Sequence, residues 1–152
     1  MTATAHNSSL IVRAGTHTCA LNLVDIVEIM RPLPVSPLAG GPEVVRGLSV
    51  IRGSPVPVVV LATLLNNGEH SLGTRFVTIR AGERTVALSV DAVLGIREFD
   101  PAQLSDLPPL LQGARPELVD AVGASDAELF LVLKTGKLVP DSIWALLAGK
   151  EA

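Results

Sequence analysis

Between Pro42 and Leu61 the chain reads PEVVRGLSVIRGSPVPVVVL, an apolar run broken by two arginines, Gly47 and Gly53, and Pro55 and Pro57. β-Branched residues at this density favour strands, where a stiff side chain packs well on a pleated surface. A glycine inside such a run marks a turn, a bulge or the close approach of another backbone. Leu48–Arg52 and Val56–Leu61 therefore read as a strand pair joined across Gly53-Ser54-Pro55. Val58 to Leu61 is apolar at every position, as in a strand covered on both faces. Neither glycine is followed by Lys and Ser or Thr, which excludes a phosphate loop here.

Short strands recur along the rest of the chain. Ser9–Arg13 and Thr18–Leu23 flank the turn Ala14-Gly15-Thr16-His17, and Cys19, Leu21 and Leu23 share the apolar face. Val24–Met30 is an apolar segment carrying Asp25 and Glu28, and a proline-rich loop with Pro32, Pro34, Pro37 and Pro42 follows it. Leu61–Leu65 reads as a helical turn stopped by Asn66-Asn67-Gly68. Arg75–Arg80 and Thr85–Val90 flank Ala81-Gly82-Glu83-Arg84, Val93–Phe99 is a further strand, and Leu129–Leu133 another. Pro101–Pro116 is loop, and residues 117–123 admit either helix or strand. Asp141–Leu147 closes the chain as a helix, with Asp141 as N-cap and Gly149 past its end. Many short strands with one terminal helix predict an all-β barrel fold in a single domain, residues 9–150, behind a flexible tail, 1–8.

Composition narrows the function. A net charge of −3 with no cluster of basic residues argues against nucleic acid, which selects for Lys and Arg gathered on one face. No apolar run approaches the roughly 20 residues that span a bilayer, and MTATAHNSS carries no signal-peptide pattern. With one cysteine and no intrachain disulfide, a soluble cytoplasmic protein is expected, with no direct membrane insertion. His6, His17 and His70 stand apart from one another and from Cys19, so neither a metal nor a cofactor is expected. No Gly-x-Ser-x-Gly elbow is present, and the scattered carboxylates read as solvated or capping groups. A small β-barrel enzyme would need two of those carboxylates brought together in one pocket. Arg52, next to Gly53, reads either as a solvated hairpin arginine or as an interface anchor.

These residues resemble the CheW-like adaptors of bacterial chemosensory arrays, from about Leu10 to Leu147. The centre of the resemblance is Pro42-x-x-Val45-x-Gly47-x-x-x-x-Arg52-Gly53-x-x-x-Pro57-Val58-Val59-x-Leu61. Val27-Glu28-Ile29 stands ahead of it, VALSVDAV (Val86–Val93) follows, and LFLVLKTGKLV is similar to the closing strand of the family. The resemblance implies two packed, intertwined SH3-like five-stranded β-barrels with a short C-terminal helix. It also favours strand for Leu118–Gly123.

It further implies a non-enzymatic adaptor between the cytoplasmic tip of a methyl-accepting chemotaxis receptor and the regulatory domain of a CheA-type histidine kinase, located at receptor–kinase arrays. By match of motif, Ile26, Glu28, Gly47, Arg52, Gly53, Val90 and Val93 fall at or near an apolar receptor groove between the barrels, where the glycines admit a receptor helix. Four positions depart from the family pattern. Val50-Ile51 replaces Asn-Leu, Val60 replaces a common Asp, and Lys134 replaces an acidic residue. An accessory paralogue that binds only receptor or only kinase is the alternative.

Overall fold

The computed structural model describes residues 7–38, 44–66, 72–99, 104, 118–125, 128–139 and 144–145. Ten strands and one short helix follow in chain order: β1 (Asn7–Ala14), β2 (His17–Asn22), β3 (Ile26–Met30), β4 (Val45–Ile51), β5 (Ser54–Val60), α1 (Leu61–Asn66), β6 (Arg75–Ala81), β7 (Arg84–Val90), β8 (Ala92–Phe99), β9 (Val119–Ser125) and β10 (Glu128–Leu133). They form two five-stranded sheets, in the orders β8-β1-β2-β10-β9 and β3-β6-β7-β5-β4. The nearly all-β, SH3-like architecture is as expected, and residues 119–125 are strand. Trp144 and Ala145 are helical, whereas Asp141 and Gly149, taken as the ends of a terminal helix, lie outside the described residues. So do Pro42, Asn67-Gly68, His6, His70 and, apart from Leu104, the loop 101–116.

The two sheets are copies of one plan with a strand exchanged. The hairpin β1–β2 shares a sheet with β8, β9 and β10 and pairs directly with β8 and β10, and the hairpin β6–β7 shares one with β3, β4 and β5 and pairs directly with β3 and β5. The correspondence holds to the residue. A bulge falls between Ile26 and Glu28 on β3, and the matching break on β8 falls between Val93 and Gly95. The β4–β5 register shifts between Val45 and Gly47, and the β9–β10 register shifts between Val119 and Ala121. The amide of Val60 donates to Val44 O at 3.2 Å, and its counterpart Lys134 donates to Leu118 O at 2.9 Å. Each sheet has one parallel pair, β5 with β7 and β10 with β2.

Packing explains why both sheets are apolar on both faces. A shared core lies between them, built from Leu10, Val12 and Leu21 of one sheet and Val59, Val77 and Leu88 of the other, and extended by Leu61, Leu64 and Leu65 of α1. On its second face, each sheet holds a smaller cluster of its own. Phe76, Val58 and Ala87 pack under Met30 and Val35. Phe130, Ile11 and Ala20 pack under Phe99 and Leu104, and Phe99 stacks on Phe130 with ring centroids 4.4 Å apart. Each large side chain fully withdrawn from water contributes roughly 1.5–3 kcal/mol, so these clusters dominate stability. Cys19 lies in the shared core, where burial pushes its thiol up to about 12.

Several boundaries differ from the sequence reading, among them those of β4, which runs from Val45 to Ile51, and of α1, which takes Leu61 from the end of β5. Asn7 and Ser8 belong to β1 and not to the tail. Leu23–Asp25 is a 3-10 turn capped by the Asn22 side chain, which accepts from the Val24 amide, so β3 starts only at Ile26. β5 starts at Ser54, ahead of the two prolines. It pairs with β7 only from Val58 to Val60, which leaves the stretch holding Pro55 and Pro57 as a free edge where a missing N–H costs nothing.

Gly47 is explained by this chain's own packing. Ser36 bridges Leu48 through hydrogen bonds of 2.8 and 2.9 Å, and a Cβ on Gly47 would run into the Ser36 carbonyl. With φ at +154° the position is doubly hostile to a side chain. Gly47→Ala is expected to lower Tm by roughly 4–8 °C, reflecting about 2 kcal/mol of overpacking and strain. An unchanged melting curve would refute the close approach. Strand exchange also predicts that two fragments divided between Asn66 and Leu72 stay unfolded alone and regain a cooperative β-sheet transition when mixed. Independent folding of either fragment, followed by circular dichroism, would contradict it.

Candidate partner-docking site

The β4–β5 hairpin pairs Ile51 with Ser54, which leaves Arg52-Gly53 as a two-residue turn. Both turn residues have positive φ, +52° at Arg52 and +81° at Gly53, as a type I′ turn requires. The expected turn at Gly53-Ser54-Pro55 is thereby displaced, since the proline ring cannot take the positive φ needed at a central position. Arg52 is the only non-glycine residue with positive φ among the described residues. That backbone costs a bulky side chain about 1–2 kcal/mol, and such strain concentrates where function holds it in place.

The strained backbone directs Arg52 towards β3. Its Nε donates to Glu28 Oε2 at 2.6 Å, while the arginine side chain remains 78% exposed and Glu28 26%. The hydrogen bond and the charge of Glu28 hold the guanidinium above its ordinary pKa. So exposed a pair adds little to stability. It fixes the direction of a long side chain.

Glu28 is itself positioned by Thr78. The Glu28 amide donates to Thr78 Oγ1 at 3.1 Å, and the same hydroxyl donates to Glu28 O at 3.2 Å. One threonine thus closes the β3 bulge. Sequence reading missed it, because in an alternating strand Thr78 looks like any other β-branched residue. Around the pair lies a cleft of about 340 Å³ lined by Val27, Glu28, Ile51, Arg52, Ser54, Pro55, Val56, Thr78 and Thr85. Val27, Ile29 and Val50 add exposed apolar surface on the same strands.

The remaining residues singled out in the sequence separate by environment. Ile26 and Val93 occupy equivalent places, each just ahead of a bulge, and both are half-buried against the shared core. Val90 is only 1% exposed and lies within that core. Gly47 is buried beneath Ser36, so its missing Cβ makes room for this chain and not for a helix of a partner. Gly53 is exposed and has no neighbour at its missing Cβ. The ion pair exists in one half only, because Gly95 takes the place of Glu28 and Ile11 that of Thr78. Among the departures from the family pattern, Val50 and Lys134 are exposed, whereas Val60 is buried in the shared core. Among the described residues no cluster of His, Cys, Asp or Glu could hold a metal, and no helix is long and apolar enough to cross a membrane.

Comparison with known proteins gives a consistent picture. The chain is 32% identical to Protein FrzA of Myxococcus xanthus over 133 residues, covering 84% of this chain and 81% of that protein. It is 21% identical to the chemotaxis protein CheW of Klebsiella aerogenes over 140 residues, covering 91% and 84% of the two chains. The fold matches the crystal structure of the scaffolding protein TtCheW from Thermoanaerobacter tengcongensis with a TM-score of 0.78, at 18% identity and 88% coverage of each chain. Residues 8–142 match the CheW-like domain, and the chain belongs to the CheW-like family.

Proposed function

We propose that this chain is a non-enzymatic adaptor that couples methyl-accepting chemotaxis receptors to a CheA-type histidine kinase, in the cytoplasm at receptor–kinase arrays. The match to the CheW-like domain over residues 8–142 is the observation that carries this reading. The relatives support its direction, one being a chemotaxis protein and another a scaffolding protein.

Within that role, the receptor tip docks on the surface bounded by Ile26, Glu28, Arg52, Gly53 and Val93. Arg52 is the anchor, since a guanidinium already aimed by Glu28 loses less freedom on binding than a loose one. Gly53 leaves open space beside it. Gly47 and Val90 act from beneath, one by letting Ser36 brace β4 and the other as part of the core on which Ile26 and Val93 rest.

An accessory role, with only one of the two partners retained, has its own support. Val50 is 70% exposed where the family pattern has Asn, and Lys134 is exposed where that pattern has an acidic residue. Both changes stand on surface open to a partner.

Arg52→Ala is expected to weaken binding to a receptor-tip fragment about thirtyfold, the scale of a hot-spot truncation. Arg52→Gly separates the side chain from the turn, since glycine accepts the positive φ and keeps the hairpin. It is expected to melt no lower than the parent protein and to bind as weakly as the alanine variant. Wild-type affinity in both variants, measured by titration calorimetry, would move the receptor contact elsewhere.

A further inference from the structure

The internal duplication exposes a difference between the two hairpin tips. In the first half, the Gly15 amide donates to the Asp91 carboxylate at 2.7 Å. Gly82 opens the equivalent turn of the second half with similar backbone, φ +68° against +61° at Gly15. The position equivalent to Asp91 there is Val24, which stands two residues ahead of Ile26 as Asp91 stands two ahead of Val93, and Val24 is 82% exposed. Val24 cannot give the Gly82 amide the carboxylate that Asp91 gives Gly15.

That second tip borders a cleft of about 700 Å³, lined by Gly82, Glu83, Arg84, Lys137 and Trp144 among others. The Arg84 guanidinium lies over the Trp144 ring, 4.9 Å from its centroid. Stacking fixes the arginine fork and leaves its edge available for hydrogen bonds. Asp25 borders the cleft at Gly136. Among the described residues neither Arg84 nor Lys137 makes an ion pair, with Asp25, Glu83 or any other carboxylate. From the Gly82 amide, which has no equivalent of Asp91, and from two cations unpaired among the described residues, we infer that this cleft receives a carboxylate side chain from an acidic segment of a partner protein.

Trp144 is the only tryptophan and the chain has no tyrosine, so its emission reports on this cleft alone. Titrating the full chain at constant ionic strength with a blocked tetraglutamate peptide is expected to give a saturable change in that emission. Lys137→Gln removes a cation without touching the core, and Val24→Asp supplies an internal carboxylate like the one in the first half. Each is expected to weaken the peptide about tenfold, the loss of one charge-assisted hydrogen bond, with unchanged circular dichroism. The inference is overturned by an unsaturable change, by an equal response to blocked tetralysine, or by peptide affinity unaltered in both variants. Tighter binding of inorganic phosphate than of the peptide also overturns it, marking a free-anion site instead.

Discussion

Each five-stranded sheet is completed by strands from the other half of the chain, and the rest of the structure depends on that exchange. A hairpin alone cannot bury an apolar face, and two hairpins lent to opposite sheets can do so only together. The shared core between the sheets follows directly, with Leu10, Val12 and Leu21 facing Val59, Val77 and Leu88. Because the central strands β1, β2, β6 and β7 are each fixed by a partner from the other half of the chain, the surface strands β3 and β8 can carry bulges and exposed apolar residues without loss of register.

The two halves stop being alike at the candidate docking site. Equivalent bulges place Ile26 and Val93 alike, but only β3 follows its bulge with a carboxylate, and only Thr78 supplies a hydroxyl to hold it. Only one hairpin tip sends an arginine across to that carboxylate, from a backbone conformation that arginine rarely adopts. This pairing fixes the direction of an exposed guanidinium beside an apolar surface, which is the requirement of a docking site.

Much of the fold was legible in the sequence because its signals are local. Alternation marked Thr85–Val90, and the apolar run from Val58 marked a strand covered on both faces, as the two core clusters on either side confirm, although Leu61, read as its last residue, opens α1. The family resemblance rested on spaced segments, with Val27-Glu28-Ile29 in β3, Val45 to Val60 across β4 and β5, and Leu129 to Leu133 in β10. Less legible was the duplication. Arg13-Ala14-Gly15 with Thr18 and Ala20-Leu21 recurs as Arg80-Ala81-Gly82 with Thr85 and Ala87-Leu88, a signal present in the sequence but too short to stand out without the topology. The turn was read one residue late and one residue too long because proline is a common turn residue, whereas positive φ at an arginine has no sequence signature. Gly47 was read as room for a partner, but only the path of the segment through Ser36 shows what fills it.

Bridging is the central functional claim, and co-sedimentation tests it most directly. Purified chain would be incubated with a membrane-anchored receptor and the kinase regulatory domain, separately and together. Kinase retained with receptor-bearing membranes only when this chain is present is the expected result. Kinase left in the supernatant, while this chain binds one partner alone, would contradict bridging and establish the accessory role.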